Sequence, residues 1–151
     1  MRLAHMTDCA IRLLVYVGQR DERLCTIAEV AAAYRLSETH LMKITHQLAL
    51  GGWLQTLRGK GGGIRLAKAP AAIRLGDVVR TMEPDFFIVE CFSTGNTCTL
   101  TGACVLTGVM DGALRDFMAH LDAHTLADVL PPPAGQPAPK PLRFQRRAKV
   151  A

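Results

Sequence analysis

Nowhere in the 151 residues is there a run approaching the ~20 consecutive apolar residues that a membrane-spanning helix requires. The N-terminal stretch MRLAHMTDCAIRLLVYVG lacks the basic start, long apolar core and small-residue cleavage site that together mark a secretory signal. A cytoplasmic protein with no membrane partner is therefore expected. Cysteine is sparse and odd in number, at five. A reducing compartment and an unpaired fifth thiol argue against a disulfide framework, which leaves metal ligation or plain burial. Phosphate-loop patterns are missing too: counting from Gly59 and Gly61, the third glycine position of GxGxxG is filled by Ile64, and GxxxxGK[ST] does not occur. No catalytic dyad or triad stands out, so an enzyme is not expected.

What is present begins with charge. The net +5 is unevenly spread. Residues 1–74 carry 11 Lys/Arg against 5 Asp/Glu, residues 75–139 carry 2 against 8, and residues 140–151 carry 5 and no acid. A basic first half joined to an acidic second is the electrostatic footprint of a nucleic-acid module with an appended partner element. The length suits one domain plus such an appendage.

The basic half reads as short helices. Apolar residues are dense from Thr7 to Gly18, with Thr7 placed as a possible N-cap and Gly18 as a stop. Thr26 heads TIAEVAAAYRL with Glu29 three residues on, the spacing of a capping box. Ser37 heads SETHLMKITHQLALGG, where Leu41, Ile44 and Leu48 form the apolar stripe and Thr39, His40, Lys43 and Gln47 lie off it. Two helices joined this tightly suit a helix-turn-helix, although any αα-hairpin would look similar. The segment WLQTLRGKGGGIRLAK then predicts a hairpin with a glycine-rich, basic turn.

Together these elements make a winged helix. Ser37, Thr39, His40 and Lys43 are the candidate major-groove contacts, and Arg58, Lys60 and Arg65 are the candidate phosphate or minor-groove contacts. The glycines at 59, 61, 62 and 63 would let the wing backbone come close to its target.

RLGDVVRTME predicts a further short helix ending before Pro84. From Gly102 to Leu121 a broad stripe of Leu106, Val109, Met110, Ala113, Leu114, Phe117, Met118 and Leu121 recurs at helical spacing. Such a stripe can serve both the chain's own core and a second copy, as expected of a reader of two half-sites. The fold class expected is mainly α with a small β-hairpin: a winged helix-turn-helix over 1–80, a cysteine loop and long dimerisation helix over 81–130, and a disordered, proline-rich basic tail over 131–151.

CFSTGNTCTLTGAC spaces Cys91, Cys98 and Cys104 as Cys-x6-Cys-x5-Cys. Zinc ligands typically pair two to four residues apart, which this loop does not offer. Three thiols on a loop with Gly95, Asn96 and Gly102 suit the larger circumference of an iron–sulfur cluster. Cys9 and Cys25, set among apolar residues, read as small core side chains. His120 and His124, at i,i+4, read as a solvated face.

TDCAIRLLVY, SETHLMKITHQL, LRGKGGGIRLAKAPAAIRLGDVV, the three-cysteine loop and TLADVL resemble the NsrR regulators, within the winged-helix repressor superfamily that also contains IscR. The likeness covers roughly residues 1 to 130. It implies a dimeric, cytoplasmic transcriptional repressor that binds double-stranded operator DNA and senses nitric oxide through an iron–sulfur cluster, 4Fe-4S rather than 2Fe-2S. DNA would be released on cluster nitrosylation.

By resemblance the ligands are Cys91, Cys98 and Cys104, with Asp8 of the partner subunit as the fourth. An IscR-like chain would carry histidine three residues after the last cysteine, where Thr107 stands. An iron- or redox-responsive regulator of the same superfamily and, from a different class, a small iron–sulfur electron carrier are the alternatives.

Overall fold

The computed structural model describes residues 3–131. In chain order it contains α1 (His5–Gly18), α2 (Ile27–Tyr34), α3 (Glu38–Leu50), β1 (Leu54–Leu57), β2 (Gly63–Leu66), α4 (Leu75–Met82), α5 (Val105–Asp122) and α6 (Leu126–Val129). Single 3-10 turns lie at Pro70–Ala72 and Glu90–Phe92. This is the expected winged helix-turn-helix with one two-stranded antiparallel sheet, followed by a long helix. The basic tail lies, from residue 132 on, outside the described residues.

The caps explain two of the three first helices. Thr26 accepts a hydrogen bond from the Glu29 N–H at 3.2 Å, and Ser37 accepts one from the His40 N–H at 3.5 Å. The box at Thr26 is not reciprocal, because the Glu29 carboxylate turns to Arg23, 3.0 Å away. Thr7 does not cap α1. The N-cap stands three residues earlier, at Ala4, whose N–H donates to Glu83 Oε1 at 2.8 Å. A carboxylate supplied from far along the chain satisfies that amide, so Thr7 lies inside the helix, fully buried and with its hydroxyl unpartnered.

Arg35, at φ 55°, ends α2 in the left-handed conformation, and only Arg35, Leu36 and Ser37 separate it from α3. The stripes then close on α1. Leu13, Leu14 and Val17 of α1 and Leu41, Ile44 and Leu48 of α3 are fully buried, in one core with Ile64, Leu66 and Trp53. Each such aliphatic side chain contributes roughly 1.5–3 kcal/mol of burial.

The wing pairs Leu54 with Leu66, Gln55 with Arg65, Thr56 with Ile64 and Leu57 with Gly63. Leu54, Ile64 and Leu66 point into the core while Gln55 and Arg65 point out, the period-two alternation that anchors the hairpin. Cys25 adds a bridge to Ile64 through hydrogen bonds of 2.9 and 2.7 Å, which ties the wing to the segment before α2.

The C-terminal elements return to this body. Leu126 N–H donates to the Ile73 carbonyl at 2.8 Å and Leu75 N–H to that of His124 at 3.0 Å. α4 meets the end of α5 at Gly76, where a Cβ would lie 1.9 Å from Asp122 Oδ1. The closeness lets Arg80 bind Asp122 through both guanidinium nitrogens, at 2.6 and 2.5 Å. No helix among the described residues is long and apolar enough to cross a membrane.

Candidate nucleic-acid interface and metal centre

Ser37, Thr39 and Lys43 are exposed on α3, together with His46 and Gln47. On the wing, Arg58, Lys60 and Arg65 are likewise exposed. Arg58 and Lys60 stand in the turn and make no ion pair among the described residues, whereas Arg65 donates to Gln55 Oε1 at 2.8 Å across the ladder. Gly59 and Gly61 have φ of 101° and 79° and open space around them, so their role is conformational. Gly62 and Gly63 answer a different need, since a Cβ there would lie 2.3 Å from the Leu57 carbonyl and 2.6 Å from that of Cys25.

His40 stands apart from this group. Its ring stacks on His5 with centroids 5.4 Å apart, turned toward α1, and its Nε2 is buried without a hydrogen-bond partner.

The cysteine loop is ordered by its own polar side chains. Glu90 Oε1 accepts from the Thr97 N–H at 3.2 Å and the Thr97 hydroxyl at 3.0 Å. Asn96 Oδ1 accepts from the Cys98 N–H at 3.3 Å and the Thr101 hydroxyl at 2.7 Å. Gly95 and Gly102, at φ 79° and 91°, supply the left-handed turns.

Cys91, Cys98 and Cys104 are all free and half-buried. Cys91 Sγ lies 3.5 Å from the Thr107 hydroxyl, and Cys104 stands at the N-cap position of α5, where its carbonyl accepts from the Thr107 N–H at 3.3 Å. The first-turn N–H groups of Thr107 and Leu106 push the Cys104 thiol below its ordinary pKa, because a helix N-terminus favours the thiolate. Three accessible, soft donors, one of them poised toward thiolate, fit an iron–sulfur group.

Asp8 lies in the first turn of α1, ion-paired with Arg12 at 2.8 Å, with its side chain 44% exposed. It lines an open cleft with Leu3, Ala4, His5 and Glu83. Cys9 and Cys25 are fully buried, as the sequence suggests. Burial first, then the Asp8 charge, raises the Cys9 thiol pKa, against a smaller lowering by Arg12.

Sequence reasoning missed the company Cys9 keeps. His5 stands four residues before it and His40 packs against both. The i,i+4 spacing of His5 and Cys9 was the available signal, but nothing local announces His40. His120, in the last turn of α5, and His124 just beyond it have ring centroids 4.6 Å apart, tilted by 42°.

α5 presents an apolar face to solvent: Val105, Leu106 and Val109 are 84%, 58% and 61% exposed. Met118 is buried in its second half, so the stripe divides between the chain's own core and an unpartnered surface.

A family model described as "Rrf2: Iron-dependent Transcriptional regulator" matches residues 3–132. An HTH-type transcriptional regulator NsrR of Geobacillus kaustophilus (strain HTA426) is 47% identical over 132 residues, 86% of this chain and 90% of that one. One of Bacillus subtilis (strain 168) is 41% identical with the same coverage. Among solved structures, T. potens IscR has a similar fold, with a TM-score of 0.68 at 23% identity over 85% of each chain. CymR, the global cysteine regulator of B. subtilis, gives 0.65 at 22% identity over 85% of this chain and 95% of that one. By this descent, and by a winged helix followed by a three-cysteine loop and a long helix, the chain belongs to the Rrf2 family of transcriptional regulators, not to an enzyme family.

Proposed function

We propose that the protein is a homodimeric repressor of operator DNA that responds to nitric oxide through an iron–sulfur cluster, 4Fe-4S in type. Cys91, Cys98 and Cys104 hold the cluster, with Asp8 of the partner subunit as its fourth ligand. When bound, the cluster supplies an iron centre with one hard, weak carboxylate ligand, the corner open to a small diatomic. The observation that carries the reading is a loop of three free, half-buried cysteines, set by its own hydrogen bonds and running into the head of α5 beside that helix's exposed apolar face.

Residues 1–80 would supply the DNA-binding unit and 81–130 the sensor and dimer helix. In this reading Ser37, Thr39 and Lys43 face the major groove, His40 being turned to α1 instead, while Arg58, Lys60 and Arg65 meet phosphates or the minor groove, Arg58 being the minor-groove probe. The wing turn is suited to that task because Arg58 and Lys60 are exposed and carry no competing ion pair.

The chain's own part in signalling is mechanical. The Glu90 and Asn96 hydrogen bonds set the cysteine loop, Cys104 joins that loop to α5, and Arg80–Asp122 clamps the far end of α5 to α4. A change at the loop thereby reaches the helix that spaces the two recognition helices. A differential of about 3 kcal/mol between the two dimer states weakens DNA binding roughly hundredfold.

The test is an anaerobic titration of freshly purified protein on a duplex selected from random sequence, with absorbance followed as nitric oxide is added stepwise. Loss of the cluster absorbance and release of DNA in step support the reading; DNA binding indifferent to both overturns the sensor role. The family description favours one second reading, an iron-responsive regulator. In that case chelation of iron, rather than nitric oxide, releases the DNA.

A further inference from the structure

His5 and Cys9 occupy successive turns on one face of α1, and His40 enters from the first turn of α3. One ligand atom from each lies within 4.8 Å of the other two. Cys9 Sγ stands 3.6 Å from His5 Nε2 and 3.8 Å from His5 Nδ1. A tetrahedral zinc with bonds of about 2.3 Å to sulfur and about 2.0 Å to nitrogen holds those two atoms roughly 3.6 Å apart. The spacing between α1's own donors is therefore already that of a zinc edge.

A thiol–imidazole hydrogen bond accounts for His5 and Cys9 alone, but it leaves His40 unexplained. The two rings lie at an interplanar angle of 10°, and His40 Nε2 is buried with no hydrogen-bond partner. A buried ring nitrogen without a partner is costly, and a metal ion in the same space would satisfy it. Cys9 is fully buried whereas His5 is exposed and lines the open cleft with Leu3, Ala4, Asp8 and Glu83. Of the three only His5 borders the cleft, so an ion would enter past its ring and keep its open position on that side.

We propose that His5, Cys9 and His40 form a site for one zinc-class ion, two imidazoles and a thiolate with the fourth position open to water, bridging α1 to the first turn of α3. Imidazole and thiolate donors together select zinc, or cobalt as its stand-in, over magnesium or calcium. Binding removes the thiol proton from Cys9 and releases it to solvent. The ion would pin α3 to α1 at the end of the recognition helix where Ser37 and Thr39 are exposed. The site shares no residue with the loop cysteines and does not rest on the nitric-oxide reading.

The experiment uses the full chain with Cys91, Cys98 and Cys104 replaced by serine, reduced and freed of metal, and titrated with Co2+ and then Zn2+. One Co2+ per chain should bind with intense tetrahedral d–d bands and a thiolate-to-cobalt charge-transfer band, and one Zn2+ should displace it. His5→Gln and His40→Gln, both at partly exposed positions, should each weaken binding by at least the roughly tenfold that loss of even an outer-shell partner costs a metal site. Cys9→Ala should abolish the charge-transfer band; should that buried variant fail to fold, the two histidine variants carry the test. The same histidine substitutions in the iron-free natural chain should lower its Zn2+-dependent rise in Tm. Only the weak octahedral spectrum of Co2+, or tetrahedral bands unchanged in both histidine variants, would overturn the site.

Discussion

Gly76→Ala should destabilise the protein in one background and stabilise it in another, and the reason is a single contact. The new methyl would lie 1.9 Å from Asp122 Oδ1, far inside van der Waals contact, so the Asp122 side chain must leave. With it goes the bidentate pair to Arg80. That pair is partly exposed, its side chains being 44% and 33% accessible, so solvent screening leaves its loss a minor part of the cost. Residual crowding of a packed helix crossing adds about 1 kcal/mol, the low end for overpacking, because the obstacle is the movable end of a side chain. Alanine returns up to about 1 kcal/mol of helix propensity over glycine, less in a first turn.

The net expectation is a loss of up to about 1 kcal/mol, the crowding less the propensity gain. With Asp122→Ala in place the obstacle and the pair are both gone, and Gly76→Ala should then gain about 0.5 kcal/mol by propensity alone. Urea unfolding of cluster-free protein at one fixed chain concentration reads both values from the midpoint at constant m. Equal effects of Gly76→Ala in the two backgrounds would refute the reasoning, because the cost would then not pass through Asp122.

Three further outcomes are expected. Arg80 holds the Asp122 carboxyl below its usual pKa, so its stabilising contribution is complete above the unfolded value of about 3.9 and is lost as pH falls through the lower folded value; Asp122→Asn should flatten that acid limb in a pH series of unfolding midpoints. Arg58→Ala and Lys60→Ala should weaken DNA binding across all sequences and reduce the slope of log K against log salt by about 1 for each phosphate contact removed, measured by anisotropy at several salt concentrations. Val109→Glu places a charge on the exposed apolar face of α5 and should shift the protein to monomer in sedimentation, with cluster content falling in parallel; a stable, fully loaded dimer would place the interface elsewhere.

Helix starts at Thr26 and Ser37, the alternating hairpin around a glycine-rich turn, and the stripes of α3 and α5 were legible in the sequence. Caps, turns and periodicity are local, acting over a few residues. The three-cysteine loop was legible as a donor set for the same reason, and family likeness supplied the role of its ligands. What needed the tertiary structure involved partners distant along the chain. Glu83 caps α1 and moves its start ahead of Thr7, Asp122 explains why position 76 carries no side chain, and Thr107 meets Cys91. His40 shows the limit most clearly: its sequence position, one turn into a recognition helix, points to DNA, yet the crossing of α1 over α3 turns its ring to His5 and Cys9. The local pattern determined which residues form helices and which faces are apolar, whereas the packing of those faces alone decided which polar side chains meet.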